Sequence, residues 1–183
     1  MRAVIDTNVL LVANGQHQDV SPECVEECVQ RLLDLQGKHS QGIVVIDDNF
    51  LILNEYKHKT RLKPPKGVGD VFLKWLLRQT GSARVEQVAL TETAPDCFAE
   101  FPDPALEPAF DAPDRKFAAV AHAHPARPRP VIWQAADCKW LDWWPALRVQ
   151  GVEVDFLCPE DACAFYGRKF PSRPAPCVPH RTP

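Results

Sequence analysis

Long apolar runs are missing from this 183-residue chain, and none approaches the roughly 18 to 20 residues needed to span a bilayer. The amino terminus also lacks a basic region, an apolar core and a small-residue cleavage site. A cytoplasmic protein with no membrane partner is therefore expected. Nor is there an excess of positive charge: the formal net charge is −3, so any nucleic-acid surface must be local. No C-x-x-C pair occurs among the seven cysteines, Cys24, Cys28, Cys97, Cys138, Cys158, Cys163 and Cys177. An odd set without a secretion signal predicts reduced thiols. Cys24 and Cys28 stand four apart on a predicted helix, which permits a shared metal, although free Cys commonly packs as a small apolar residue. No internal repeat is visible.

What the chain does have is a hydrophobic fraction of 45%, enough for one well-packed domain, placed at residues 1–167. It opens on an apolar strand, Ala3-Val4-Ile5, that stops at Asp6. A carboxylate there lies where open α/β sheets bind ligands. Ser21-Pro22-Glu23 predicts a helix start, with a hydroxyl cap, an early proline and an acid at the positive end of the dipole. That helix should run to about Gly37, with Val25, Cys28, Val29, Leu32, Leu33 and Leu35 on its apolar side. Gly42 to Ile46 reads as a second buried strand bounded by Asp47 and Asp48, either of which suits a cap for the helix over 49–57.

Helix Val68 to Gln79 and a strand near Arg84 to Ala89 follow. Five prolines interrupt Thr91 to Pro113, which predicts a long acidic surface connection. A helix from Asp114 to about His124, a strand at Val131-Ile132-Trp133, an apolar face on Trp140, Leu141, Trp144 and Leu147, a strand over 152–157 and a short helix over 159–166 complete the pattern. Residues 168–183 read as a proline-rich, basic, irregular tail. Strands alternating with helices predict an α/β protein of three-layer α/β/α type with a mostly parallel central sheet.

Four acids stand out by position: Asp6 after the first strand, Glu55 inside a helix, Asp114 at a helix start and Asp137 after the Val131-Ile132-Trp133 strand. Residues leaving the carboxyl ends of neighbouring parallel strands converge on one edge. Carboxylates gathered there repel one another unless a cation holds them, and Mg²⁺ or Mn²⁺ suits oxygen ligands. Each acid also has a plain structural reading: a turn for Asp6, an exposed helix position for Glu55, a capping-box acid behind Asp111 for Asp114, and a helix cap for Asp137.

I-D-T-N-V-L-L at Ile5 to Leu11 resembles the opening motif of the PIN domain family of metal-dependent nucleases, and the resemblance extends to about Leu157. Glu55 matches the family's second acid, Asp114 of D-R-K-F-A-A-V-A its third, and Asp137 of Q-A-A-D-C-K-W its fourth. Gln134 and Ala135 replace the usual Thr or Ser before that last acid, and Cys138 and Lys139 follow it. Asn8 fits a polar position lining the family's site.

The resemblance implies a PIN-like fold and an endoribonuclease that leaves 5′-phosphate and 3′-hydroxyl ends. Asp6, Glu55, Asp114 and Asp137 would be catalytic and would hold Mg²⁺ or Mn²⁺. Single-stranded or looped RNA is the substrate so implied. A toxin or defence role would bring an antitoxin or regulatory protein as partner and a homodimer, while other members process or degrade RNA. The alternative within the family is a catalytically degenerate RNA- or protein-binding module.

Lys57, Lys59 and Arg61 belong to the densest basic stretch and begin two residues after Glu55, so they are candidate phosphate contacts, with a solvated loop as the plain reading. Arg115 and Lys116, after Asp114, are secondary candidates. His122 and His124 point about 200° apart around a regular helix and cannot share one metal there. The tryptophans at 140, 143 and 144 suit a core more than base stacking. A haloacid-dehalogenase phosphatase needs an Asp where Asn8 stands, and a phosphoacceptor receiver needs an acid pair and a late Lys that are both missing.

Overall fold

Ala3, Val4 and Ile5 are apolar at consecutive positions and wholly buried, as befits a strand covered on both faces. The structure, a computed structural model, describes residues 1–17, 19–174, 176 and 178. In chain order its elements are β1 (Arg2–Ile5), α1 (Thr7–Ala13), α2 (Pro22–Gln36), β2 (Ile43–Asp47), α3 (Leu51–Lys59), α4 (Val68–Gln79), β3 (Val85–Val88), β4 (Glu92–Ala94) and β5 (Cys97–Phe98). Two 3₁₀ turns (Glu107–Ala109 and Ala112–Asp114), α5 (Arg115–Ala123), β6 (Val131–Gln134), α6 (Trp140–Val149), β7 (Val154–Phe156) and α7 (Pro159–Lys169) follow.

The central sheet has the order β3-β2-β1-β6-β7, and every pairing in it is parallel. Ala3 pairs with Val44 on one side and Val131 on the other, which centres β1 in the core. Helices cover the sheet: α1, α2 and α4 pack together, while α5 lies across β1, β2 and β6, giving three α/β/α layers. The chain leaves β1 toward β2 and β3, then returns to β1's other side through β6 and β7. That reversal opens a crevice at the carboxyl ends of β1 and β6, the place where such sheets take ligands.

Local chemistry sets the boundaries. Ser21 Oγ accepts from the Cys24 N–H at 3.2 Å and caps α2. Asp47, buried at the end of β2, accepts from the N–H groups of Leu51 and Ile52 at 2.6 and 2.9 Å and so caps α3. Phe50 between them adopts a left-handed backbone (φ 59°), and α3 starts at Leu51 rather than Asn49.

Three expectations change. Cys24 and Cys158 form a disulfide across 134 residues of chain, so these thiols are not reduced here; α2 and α7 bring them together although nothing in their spacing announces it. Thr91 to Pro113 is not only a surface connection. It contains the β4–β5 hairpin, and Phe98, Phe101 and Phe110 sink into the core. The Phe110 ring stacks on Trp143 with centroids 4.0 Å apart and meets Trp140 edge-on, which also gives two of the tryptophans their core role. Finally, α7 continues through Arg168 and Lys169, whose charges suit the negative end of a helix. Cys177 and most of the final tail lie outside the described residues. Among the described residues no helix is long and apolar enough to cross a membrane.

Candidate functional site

Asp6 ends β1 and caps α1: its carboxylate accepts from the Asn8 N–H at 2.7 Å and is almost wholly buried. Asn8 reaches the other way, its side-chain carbonyl accepting from the Ala136 N–H at 3.1 Å. This bond ties the loop after β6 to α1 and so sets Asp137 beside Asp6. Glu55 is presented from the second turn of α3, which Tyr56 anchors by donating its hydroxyl to the carbonyl of Ile5. One Glu55 oxygen accepts from Thr7 Oγ1 at 2.6 Å, and the other meets the Lys116 ammonium at 2.5 Å. Asp114 closes the 3₁₀ turn that leads into α5. Lys139, beside Asp137, pairs with Asp111, which draws the two loops carrying Asp114 and Asp137 together.

Asp6, Asn8, Glu55, Asp114 and Asp137 thus line one cleft of about 640 Å³, together with Thr7, Leu11, Leu51, Asn54, His58, Lys59 and Pro113. Four carboxylates from four separate segments meet at the sheet's carboxyl edge. Burial, followed by repulsion from Asp114, holds the Asp6 carboxyl well above its ordinary value despite the bond from Asn8. Burial, then Asp137 and Glu55, push the Asp114 carboxyl up to about 7 although Lys116 opposes them. Crowded oxygen donors whose charge is costly suit a hard divalent cation.

The acids are nevertheless spread around the cleft. Among the described residues, the ligand-bearing side chains drawn within 4.8 Å of one another are Cys24, Cys28 and Cys158, not these carboxylates. Mg²⁺ keeps several waters and binds directly to only one or two carboxylates, so the wider set fits it.

The basic candidates divide. Lys59 lines the cleft, whereas Lys57 and Arg61 are exposed and do not line it. Arg61 opens a loop gathered by Asp70, which accepts from the N–H groups of Arg61 and Lys66 and from the Asn14 side chain. Burial alone would raise the Asp70 carboxyl, but these bonds and one from Gly67 hold it below the ordinary range. Arg115 turns away from the acids to Cys97 Sγ and the Asp96 carbonyl on the β4–β5 hairpin. Lys116 is buried, donates to the Pro113 carbonyl as well as meeting Glu55, and serves as an internal counter-ion.

Gln134, which stands before the fourth acid, is fully buried with its side-chain amide unpartnered among the described residues. His122 and His124 go to separate partners, the Glu100 carbonyl and Glu86. Sequence reasoning missed Thr7, Asn54 and His58 as cleft residues. Thr7 had a signal in its place between Asp6 and Asn8, while Asn54 and His58 had only helical proximity to Glu55. Comparison with protein-family models, with curated proteins and with solved structures finds no match to this chain.

Proposed function

We propose that the chain is a Mg²⁺- or Mn²⁺-dependent endoribonuclease. The observation that carries this reading is the convergence of Asp6, Glu55, Asp114 and Asp137 on one cleft at the switch point of a parallel sheet. The order of those acids and the D-T-N turn resemble PIN nucleases. Bound cations would supply the positive charge that favours attack of water at phosphorus and departure of the 3′ oxygen, leaving a 5′-phosphate.

In this reading Asp6, Asp114 and Asp137 hold the cation, directly or through water. Glu55, steadied by Thr7, orients the attacking water or helps hold a second cation. Lys59 offers a phosphate contact beside the acids, and Lys57 and Arg61 extend the basic surface outside the cleft. Single-stranded or looped RNA, a toxin or defence role with a neutralising protein partner, a homodimeric state and a cytoplasmic setting follow by analogy with that family.

A second reading, an RNA- or protein-binding module with a degenerate metal site, draws support from the Lys116 ammonium already occupying Glu55. Cleavage of a labelled RNA pool with Mn²⁺, Mg²⁺ or EDTA decides between them. The nuclease gives metal-dependent cuts with 5′-phosphate ends, and Asp6→Asn and Asp114→Asn each reduce them by on the order of 10³-fold or more. Metal binding without cleavage of any RNA or single-stranded DNA gives the binding module instead.

A further inference from the structure

The first two turns of α2 and the start of α7 meet at three sulfurs, none of which lines the acid cleft. Cys24 and Cys28 lie one turn apart on α2, and Cys158 stands immediately before α7; all three are at most 3% exposed. Their sulfurs lie within 4.8 Å of one another, with Cys28 Sγ 3.9 Å from Cys158 Sγ. The Cys24–Cys158 bridge accounts for two of them. A third sulfur contributes nothing to that bond, yet it sits at a specific distance. Tetrahedral thiolate sites with metal–sulfur bonds of about 2.3 Å place their sulfurs roughly 3.8 Å apart, and the Cys28–Cys158 separation is of that size.

Two of the three sulfurs stand where a thiolate is favoured, whereas burial and then the Glu27 charge push the Cys28 thiol up to about 12, so the cation itself must displace that proton. Cys158 at the start of α7 and Cys24 in the first turn of α2 both stand at positive helix ends, which stabilise thiolates. A cavity of about 700 Å³ opens alongside, with Glu23, Glu27, Glu160 and Asp161 on its wall. It offers an entry path and a local negative field, while among the described residues no carboxylate oxygen joins the three sulfurs within 4.8 Å, which leaves the fourth position to water. Asp161 accepts from Ser21 Oγ at 2.6 Å, and Ser21 Oγ in turn accepts from the Cys24 N–H, so the ligand-bearing turn is held from behind.

We propose that, once the Cys24–Cys158 bridge is reduced, Cys24, Cys28 and Cys158 bind one thiophilic divalent cation of the zinc class, which fastens α2 to α7 in place of the disulfide. A dithiol donates two electrons and two protons to the bridge and leaves as its own disulfide. The cation then displaces one proton from each of the three thiols. Cysteine sulfur selects such a cation over the hard ions suited to the carboxylates of the other site.

The test uses the full chain reduced by a phosphine, which leaves as its oxide, and titrated with Co²⁺. The expected result is a sulfur-to-cobalt charge-transfer band that saturates at one cation per chain and is abolished by Zn²⁺. Asp6→Asn should retain the band, since carboxylates do not produce it. Cys28→Ser, which leaves the other two cysteines in place, should weaken the band and lower cobalt affinity by more than about tenfold.

A reduced native chain with no band overturns the proposal, as does an undiminished band in Cys28→Ser or a bridge that the phosphine cannot open in the folded chain. If Cys28→Ser does not fold, thiol alkylation read by mass spectrometry tests the native chain alone. Zn²⁺ should protect Cys24, Cys28 and Cys158 together, and protection of fewer than these three overturns the site.

Discussion

Lys116 stands among the acids with its ammonium against Glu55 and its side chain only 7% exposed. Removing one member of a buried pair leaves the other charge uncompensated, at a cost of about 3–5 kcal/mol. Because Glu55 keeps some contact with solvent, the lower end of that range is expected for Lys116→Met in EDTA. Mg²⁺ should return much of the loss if a cation can take over among the carboxylates, and urea unfolding with and without Mg²⁺ reads the difference. Equal destabilisation under both conditions would show that Lys116 only supports packing. The acids themselves were legible in the sequence because each sits at a strand end, at a helix start or near a basic run. The inward turn of Lys116 was not. Neighbouring helix residues point about 100° apart, and only the tertiary position of α5 decides that Lys116 faces Glu55 while Arg115 faces the hairpin.

At the scale of elements, the sheet strands and the helices covering them were readable because strands with continuous apolar runs alternate with capped helical periods. The segment from Thr91 to Pro113 was not, since its prolines conceal the spacing of Phe98, Phe101 and Phe110. Those rings have no periodic partner in sequence: Phe110 meets Trp140 and Trp143 of α6, about 30 residues further on, Phe101 meets Phe110, and β5 with Phe98 packs on α5. The bridge between Cys24 and Cys158 escaped notice for the same reason: helix docking, not local spacing, brings those sulfurs together. Phe110→Ala should cost about 3–5 kcal/mol, the usual range for emptying a buried aromatic site. It should also loosen the turn from Asp111 to Asp114, so the RNA cleavage proposed above should fall under conditions where the variant is still folded. Thermal unfolding and activity measured on the same preparation separate the two effects. Full activity in a folded Phe110→Ala would mean that the hairpin segment does not position Asp114.

For the whole molecule, the acid cleft makes stability depend on pH, and the proposed cation would couple that dependence to metal. Asp6 and Asp114 have carboxyl values raised in the folded state, Asp6 by burial and then the charge of Asp114, and Asp114 to about 7 by burial and then the charges of Asp137 and Glu55. The folded chain therefore binds more protons than the unfolded chain between the ordinary carboxyl range and neutrality. A raised value stabilises fully below the unfolded pKa, and that stabilisation is lost as pH rises through the folded one. With metal chelated, this cleft should destabilise the protein by on the order of 3 kcal/mol between about pH 5 and about pH 8. Asp70 and Glu86 act in the opposite direction, since their lowered values give stability that is lost only as pH falls through them. They leave the slope near neutrality to the cleft. Asp114→Asn should flatten that slope in EDTA, and Mg²⁺ should flatten it in the native chain by compensating the ionised carboxylates. Chemical denaturation across this range, in EDTA and in Mg²⁺, measures both. A native slope that neither the substitution nor the cation changes would place the titrating groups elsewhere and remove the electrostatic ground for a metal at these acids.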